Sequence, residues 1–219
     1  PSSEIYGGLA GIWDYGPLGV ELKNNIKKEF WRATVQERED VVGIDASIIM
    51  NPKVWEASGH VDSFTDPLVE CKKCHKRFRA DHLSDPGNVM AVAKTCPTCG
   101  GKLTEAKQFN LLMDAHLGAV EGDKQKVYLR GEITQGVHVN FKQILDSTRV
   151  KIPFGVAQVG KAFRNEITPG QLTFRSREFE QMEVQFFVRP DDKESQKWFE
   201  EWKKARMEWY LGLGLNEKY

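Results

Sequence analysis

All four cysteines of the chain lie in one segment, as the two Cys-x-x-Cys pairs Cys71/Cys74 and Cys96/Cys99. Two such pairs can present four thiolates to one zinc ion in a tetrahedral arrangement. Gly100 and Gly101 follow the last cysteine, where a tight turn favours glycine. Because four thiolates leave no position for a catalytic water, we predict a structural zinc site with His75 as a bystander. The alternative interpretation is four free, buried thiols.

A second group of chemically capable residues lies on two predicted strands that a polar loop connects. Residues 163–166 read Phe-Arg-Asn-Glu, the loop covers residues 167–173, and residues 174–179 read Phe-Arg-Ser-Arg-Glu-Phe. Side chains alternate across a strand, so one face of the sheet should collect Arg164, Glu166, Phe179, Gln181 and Glu183. The other face of the second strand is apolar, with Met182, Val184, Phe186 and Val188.

A face that combines an aromatic ring, a guanidinium and carboxylates can bind a zwitterion and a nucleotide. Arginine matches the oxygens of carboxylates and phosphates in pairs, which gives such a face its selectivity. The alternative interpretation is a solvated face on which these charges form ion pairs with one another.

Composition and length narrow the class of protein. The 219 residues include 31 basic and 31 acidic side chains, so the overall charge of a dedicated nucleic-acid binder is absent. No run of about 18 apolar residues predicts a membrane span, and residues 1–4 show no feature of a signal peptide. Because paired cysteines in one segment are typical of metal sites in reducing compartments, we expect a cytoplasmic protein.

Periodicity predicts the elements that must position these residues. Pro17 can begin a helix whose apolar stripe is buried; the stripe consists of Leu18, Leu22, Ile26 and Phe30. Strands are expected at residues 41–50, 127–129, 155–166 and 179–188. A last helix begins after Asp191 or Asp192 as its cap and ends at Gly212; its apolar stripe is Trp198, Trp202, Ala205 and Trp209.

Strands that follow one another without intervening helices argue against a doubly wound parallel sheet. We therefore predict an α+β fold in which helices flank an antiparallel sheet. Residues 68–107 contain the cysteines, many lysines and few large apolar residues, so we interpret them as an inserted zinc-ribbon-like module. The remaining residues, 1–67 and 108–219, would form the main domain.

The residues that read Phe-Arg-x-Glu, followed by a loop and Arg-x-x-x-Phe, resemble motif 2 of class II aminoacyl-tRNA synthetases. Residues 129–141 resemble the Arg-Pro-Glu-Thr-Ala-Gln-Gly segment of the glycyl-tRNA synthetase family, with Glu132 and Gln135 matched and Gly131, Ile133 and Thr134 replacing Pro, Thr and Ala. Residues 18–52 are similar to motif 1. Three further segments also look like that family, at residues 6–19, 79–83 and 109–112.

The resemblance implies the class II catalytic fold and an enzyme that activates glycine with ATP. Glycyl-adenylate would form first, and its glycyl group would then pass to the 3′ end of tRNA(Gly). Motif 3 and an anticodon-binding domain are missing from the sequence, so we expect an incomplete catalytic domain or a fragment. Two alternatives stay open: a non-catalytic synthetase-like paralogue that binds a partner, and a zinc-ribbon module that binds nucleic acid.

The resemblance also assigns roles to individual residues. Catalysis is expected from Arg164 and Glu166. ATP binding is expected from Arg164, Asn165, Glu166, Phe174, Arg175 and Phe179. Glycine binding is expected from Glu132, Arg164, Gln181, Glu183 and Arg79. The implied cofactors are Mg²⁺ with ATP and structural Zn²⁺ on Cys71, Cys74, Cys96 and Cys99. The implied partners are the acceptor end of tRNA, which would meet residues 167–173, and a second copy bound through motif 1.

Overall fold

The computed structural model describes residues 1–85, 88–92, 94–170 and 172–216. Gln171, which belongs to the predicted motif 2 loop, lies outside the described residues, as do residues 86, 87 and 93 of the predicted insert. The chain divides into two compact units. Unit 1 comprises Pro1–Tyr15, Ser47–Gln135 and Lys161–Gln181, and unit 2 comprises Gly16–Ala46, Gly136–Gly160 and Met182–Tyr219. The proposed separation of residues 68–107 from a main domain stays a prediction.

The helices and strands alternate irregularly along the chain, as expected of an α+β protein. The α-helices are α1 Pro17–Trp31, α2 Pro52–Ala57, α3 His60–Ser63, α4 Thr134–Thr148 and α5 Asp192–Gly212. The strands are β1 Val41–Ile44, β2 Ile49–Met50, β3 Thr65–Glu70, β4 Arg77–Arg79, β5 Ser84–Asp85, β6 Asn88–Val92, β7 Lys107–Asn110, β8 Met113–Leu117, β9 Gln125–Leu129, β10 Phe154–Phe163 and β11 Glu178–Phe187. In the described ranges, every helix is too short or too polar to cross a bilayer.

Unit 1 contains small antiparallel sheets. One has the strand order β2-β9-β8, a second has the order β4-β3-β7, and β5 pairs with β6. The predicted strand at residues 41–50 is broken into β1 and β2, because its two halves pair with different strands. β2 pairs with β9, whereas β1 pairs with β10.

The sheet of order β1-β10-β11 departs from the antiparallel prediction. β1 and β10 run parallel, with Val41 opposite Gly155 and Ile44 opposite Gln158. A parallel pair needs a long connection between its strands, and residues 45–153 supply it. The sequence pattern contains no signal for this pairing, because it depends on residues that are distant along the chain.

Helix α4 was not predicted from the sequence. Its residues were assigned only to a motif segment, although Val137, Phe141 and Ile144 repeat at helical spacing. These side chains pack with Phe154 and Val156 of β10 in the apolar core of unit 2. These apolar residues therefore form the face of α4 that packs in the core.

Helices α1 and α5 agree with the prediction in position, and α1 differs from it in burial. Asp191 caps α5, since its Oδ1 accepts a hydrogen bond of 2.8 Å from the backbone N–H of Glu194. The stripe of α1 was predicted to be buried, which is wrong at its start. Leu18 is 90% exposed and Leu22 is 63% exposed, whereas Phe30 near the end of the helix is buried.

Candidate functional site

A cavity of about 690 Å³ in unit 1 brings together residues that are distant in sequence. Its lining includes Phe64, Arg79, Arg164, Glu166, Arg175 and Phe179. Asp66, Glu180 and Phe174 line it as well, so three arginines, three carboxylates and three aromatic rings face one space. Such a set suits a ligand that carries charges of both signs and a flat ring.

Arg164 lies at the centre of this arrangement. It follows the end of β10, and its backbone N–H donates to the carbonyl of Arg177 at 2.9 Å. Its Nε donates to the carbonyl of Gly131 at 3.0 Å. The guanidinium carbon lies 5.1 Å from the ring centroid of Phe64 and 5.3 Å from that of Phe179. The two terminal nitrogens have no hydrogen-bond partner within the described residues, so they are available to a ligand.

The backbone of Glu166 is hydrogen-bonded, whereas one of its carboxylate oxygens has no partner among the described residues. The residue is 8% exposed, and its buried Oε2 has no hydrogen-bond partner among the described residues. Its backbone N–H donates to the carbonyl of Arg164 at 2.8 Å, so a tight turn replaces the strand alternation that was predicted for these two residues. A buried acceptor without a partner is costly, which favours a ligand that donates to it.

Arg177 was not singled out by sequence reasoning, although it organises this turn. Its Nη2 donates to the carbonyl of Glu166 at 2.9 Å, and its Nη1 donates to the carbonyl of Ala10 at 2.8 Å. Its backbone N–H donates to the carbonyl of Gly11 at 2.6 Å. A β-carbon at Gly11 would lie 2.4 Å from Cβ of Pro169, so only glycine allows this approach. Arg177 therefore ties the glycine-rich N-terminal segment to the turn that carries Glu166.

Arg79 enters the cavity with its charge already paired. Its guanidinium forms ion pairs with Asp66 and with Asp81, the latter through Nε at 3.1 Å and Nη2 at 2.7 Å. The hydrogen bonds with Asp81 raise the pKa of Arg79, and the same contact lowers the pKa of Asp81. Since two carboxylates already occupy this guanidinium, Arg79 has less capacity for a ligand carboxylate than Arg164 has.

Glu132 is held by two neighbours and does not belong to the cavity lining. Gln135 Nε2 donates to Glu132 Oε1 at 2.7 Å, and His60 Nε2 lies 3.3 Å from the same oxygen. Gln135 Oε1 is buried and without a hydrogen-bond partner in the described ranges. The neighbouring Gly131 fits only without a side chain, because a β-carbon there would lie 2.9 Å from Cε1 of Phe64.

The remaining predicted site residues are distributed over several places. Phe174 and Arg175 also line a smaller cavity of about 290 Å³ together with His82, and Phe174 is 86% exposed. Asn165 lines a different cavity of about 410 Å³. Gln181 has a buried Oε1 without a hydrogen-bond partner among the described residues. Glu183 belongs to unit 2, where Gln185 Nε2 lies 3.5 Å from its Oε2.

The four cysteines converge in unit 1, as the spacing predicted. Cys71 Sγ lies 3.5 Å from Cys99 Sγ, Cys74 Sγ lies 3.7 Å from Cys96 Sγ, and the four sulfurs all lie within 4.8 Å of one another. Sulfurs bound at about 2.3 Å to one tetrahedral zinc ion lie about 3.8 Å apart. This group could therefore hold a metal ion.

The surroundings of the sulfurs favour the thiolate at Cys71 and Cys96, whereas burial and the neighbouring cysteines raise the pKa of Cys74 to about 12. The backbone N–H groups of Cys74 and Lys73 point at Cys71 Sγ and lower the pKa of that thiol to about 6. A β-carbon at Gly101 would lie 3.0 Å from Cys71 Sγ, so a glycine is needed where the chain passes the sulfurs. Val69, Ala80 and Leu103 pack around the cluster and exclude water from one side.

Comparison with known proteins identifies the relatives of this chain. A search of protein-family models finds no match. The chain is 55% identical over 228 residues to the glycine–tRNA ligase of Thermobifida fusca, which covers 99% of the chain. It is 55% identical over 229 residues to the glycine–tRNA ligase of Streptomyces coelicolor, and 54% identical over 214 residues to that of Treponema denticola. The chain is a relative of the glycine–tRNA ligases.

The chain spans about half the length of these ligases, 49% for the Thermobifida and Streptomyces proteins and 46% for the Treponema protein. The matched region covers essentially the whole chain, so it spans the segments that carry the cavity, Glu132 and the cysteines. The resemblance to the glycyl-tRNA synthetase family that the motifs indicated is thereby confirmed. Of the residues that the motif resemblance singles out, Arg164, Glu166, Arg175 and Phe179 line the same cavity in unit 1.

Proposed function

We propose that this chain forms the part of a glycine–tRNA ligase that binds ATP and glycine and joins them as glycyl-adenylate. The observation that carries the proposal is the cavity of about 690 Å³, in which Arg164, Glu166, Arg175 and Phe179 meet. These four residues come from the motif 2 segment, and the chain is 55% identical to a glycine–tRNA ligase. The alternative of a non-catalytic paralogue has no observation in its favour.

ATP would bind with its adenine ring against Phe179. The uncommitted Oε2 of Glu166 would accept a hydrogen bond from the exocyclic amino group, which supplies the donor that this buried oxygen lacks. Arg175 would reach the outer phosphates, and the exposed ring of Phe174 would cover the nucleotide. ATP would arrive with Mg²⁺, which neutralises charge on the phosphates. Asn165, assigned to ATP from the resemblance, faces a different cavity and would act through its backbone.

Adenylate formation is a displacement at the α-phosphorus of ATP. A carboxylate oxygen of glycine forms the new bond to phosphorus, and the bond from phosphorus to the leaving pyrophosphate breaks. Arg164 would bridge the glycine carboxylate and the α-phosphate with its two terminal nitrogens, which hold the reactants in line and stabilise the charge that moves between them. No protein side chain needs to be covalently attached.

Transfer to tRNA completes the reaction. A terminal ribose hydroxyl attacks the glycyl carbonyl carbon, the bond from that carbon to the phosphate oxygen breaks, AMP leaves, and the hydroxyl proton is released. Residues 167–173 would meet the acceptor end, and the 66% exposed Leu172 offers apolar surface for an unstacked base.

Selection of glycine would come from carboxylates and restricted space. Glu132 would hold the glycine ammonium, and Gln181 would supply its buried oxygen as a further acceptor. The role of Glu183, which belongs to the other unit, stays a prediction from the resemblance. Arg79 would contribute indirectly to glycine binding, because its ion pairs hold Asp66 and Asp81 in place. A cramped pocket rejects larger amino acids through steric clash.

The cysteine cluster would hold one structural zinc ion. The sulfur distances match a tetrahedral site, and four thiolates occupy every coordination position. Cys71, Cys74, Cys96 and Cys99 would thus supply folding energy to their segment and take no part in the reaction. Cysteines that bind metal as reduced thiols are typical of reducing compartments, which is consistent with the cytoplasmic location that we predict.

A homodimer is the proposed assembly. Leu18 and Leu22 of α1 are exposed apolar residues on the segment that resembles motif 1. A second copy that presents the same surface would cover them in an isologous interface.

The decisive experiment is glycine-dependent exchange of pyrophosphate into ATP by the full-length protein. We expect exchange with glycine and none with alanine or serine. A folded, full-length protein that binds ATP without any glycine-dependent exchange would refute the enzymatic proposal.

A further inference from the structure

The two carboxylate oxygens of Glu132 have different surroundings. Oε1 receives the hydrogen bond of 2.7 Å from Gln135 Nε2 and lies 3.3 Å from His60 Nε2. Within the described residues, Oε2 has no hydrogen-bond donor. The side chain of Glu132 is 26% exposed, so a small ligand can reach it. The carboxylate is therefore anchored through one oxygen and offers the other.

His60 is itself fixed on all sides. Its Nδ1 lies 2.9 Å from Ser58 Oγ. Its ring packs edge-on against buried Trp55, with 5.3 Å between centroids, and in a tilted arrangement against Phe64, with 4.9 Å between centroids. Asn110 Nδ2 donates to the His60 carbonyl at 3.0 Å and holds the backbone. Among the described residues, Glu132 is the carboxylate that lies within ion-pair distance of the ring, 3.3 Å from its Nε2.

The same cluster reaches the proposed reaction centre. Phe64 contacts the His60 ring on one side and lies under the guanidinium of Arg164. Gly131, the residue before Glu132, accepts the hydrogen bond from Arg164 Nε at 3.0 Å. The pair of His60 and Glu132 therefore lies beside Arg164, another residue that is proposed to hold glycine.

We propose that His60 is a positioning residue that aims Glu132 Oε2 at the ammonium group of the amino-acid substrate. The inference rests on the proposed function, since it takes Glu132 as the ammonium ligand. His60 does not touch the substrate. Its Nε2–H donates to Oε1, which holds the carboxylate rotamer and leaves Oε2 as the acceptor that a primary ammonium can use.

Two substitutions separate this role from simple packing. Gln at position 60 places an amide nitrogen near the location of His Nε2, whereas Asn reaches only as far as Nδ1. We expect His60→Asn to raise the glycine KM in pyrophosphate exchange by about tenfold, with the ATP KM and kcat changed less than about twofold. His60→Gln should restore most of the glycine affinity. Both variants lose the aromatic packing with Trp55 and Phe64, so a structural role would affect them equally.

The design includes a test of coupling and a control. In a Glu132→Gln background, His60→Asn should raise the glycine KM little further, because its target is already lost. His116→Asn, at an exposed histidine of β8, should leave all constants unchanged. Equal glycine KM values in wild type, His60→Asn and His60→Gln would overturn the positioning role, as would an equal rise of the glycine and ATP KM values in both variants. Absence of exchange in the wild-type protein would instead refute the proposed function.

Discussion

The guanidinium carbon of Arg164 lies 5.3 Å from the ring centroid of Phe179, so a cation and an aromatic face are neighbours in one cavity. The proposed adenine platform is thus adjacent to the group that is proposed to bridge the reacting carboxylate and phosphate. This relationship makes Arg164 the residue whose replacement tests the mechanism most directly.

Replacement of Arg164 should strongly reduce adenylate formation. We expect Arg164→Ala to lower glycine-dependent pyrophosphate exchange by about 100- to 1000-fold, on the scale of losing an electrostatic stabiliser of a transition state. Arg164→Lys should recover only part of the rate, because an ammonium lacks the planar fork. Arg189→Ala, which removes an exposed ion pair with Glu194, is the matched control and should cost less than about 1 kcal/mol of stability with no loss of rate. Near-normal exchange by folded Arg164→Ala would end the assignment.

Glu132→Gln should affect substrate binding more than turnover. The carboxylate would hold the glycine ammonium both before and during the reaction, so its loss removes uniform binding and raises the glycine KM with a smaller change in kcat. Steady-state exchange at varied glycine concentration measures the two constants separately. Glu105→Gln, at an exposed position, should leave both unchanged. A variant with a normal glycine KM would show that Glu132 is a surface group.

The cysteine cluster should contain about one zinc ion per chain when the protein is purified without chelator. Metal analysis with a thiol titration checks this directly. Cys96→Ser, which removes one buried ligand, should lower the zinc content and the thermal stability, because metal binding contributes folding energy. A folded protein with four titratable thiols and no stoichiometric metal would contradict the prediction.

The intact protein should sediment as two chains. Leu22→Glu places a charge on the exposed apolar surface of α1 and should shift the protein towards the monomer at micromolar concentration. Leu215→Glu, at an exposed leucine after α5, serves as the control and should leave the dimer intact. A strictly monomeric wild-type protein would refute the assembly through α1.

Local patterns account for the features that were predicted correctly. The position of α5 and the role of Asp191 as its cap depend on neighbouring residues, because a helix closes hydrogen bonds within one turn. The convergence of the cysteines follows from two short pairs whose spacing suits one metal ion. For α4 the local signal is the helical spacing of Val137, Phe141 and Ile144, which pack together in the core of unit 2.

The site was only partly predictable for a physical reason. Strand alternation placed Arg164 and Glu166 on one sheet face, whereas both lie beyond the end of β10 in a turn that Arg177 holds. The contribution of His60 had no local signal, because its partner Glu132 is distant along the chain.

The sequence by itself determined the family, the convergence of the cysteines and the positions of helices α1 and α5. Each of these rests on motif identity or on interactions within a few residues, which a linear pattern records. Only the tertiary structure decided that β1 runs parallel to β10, that Asn165 faces a different cavity from Arg164, and that Arg79 is already paired with Asp66 and Asp81. These features depend on which distant segments pack together. Packing of the core and the entropy of loop closure decide this, and a local sequence pattern records neither.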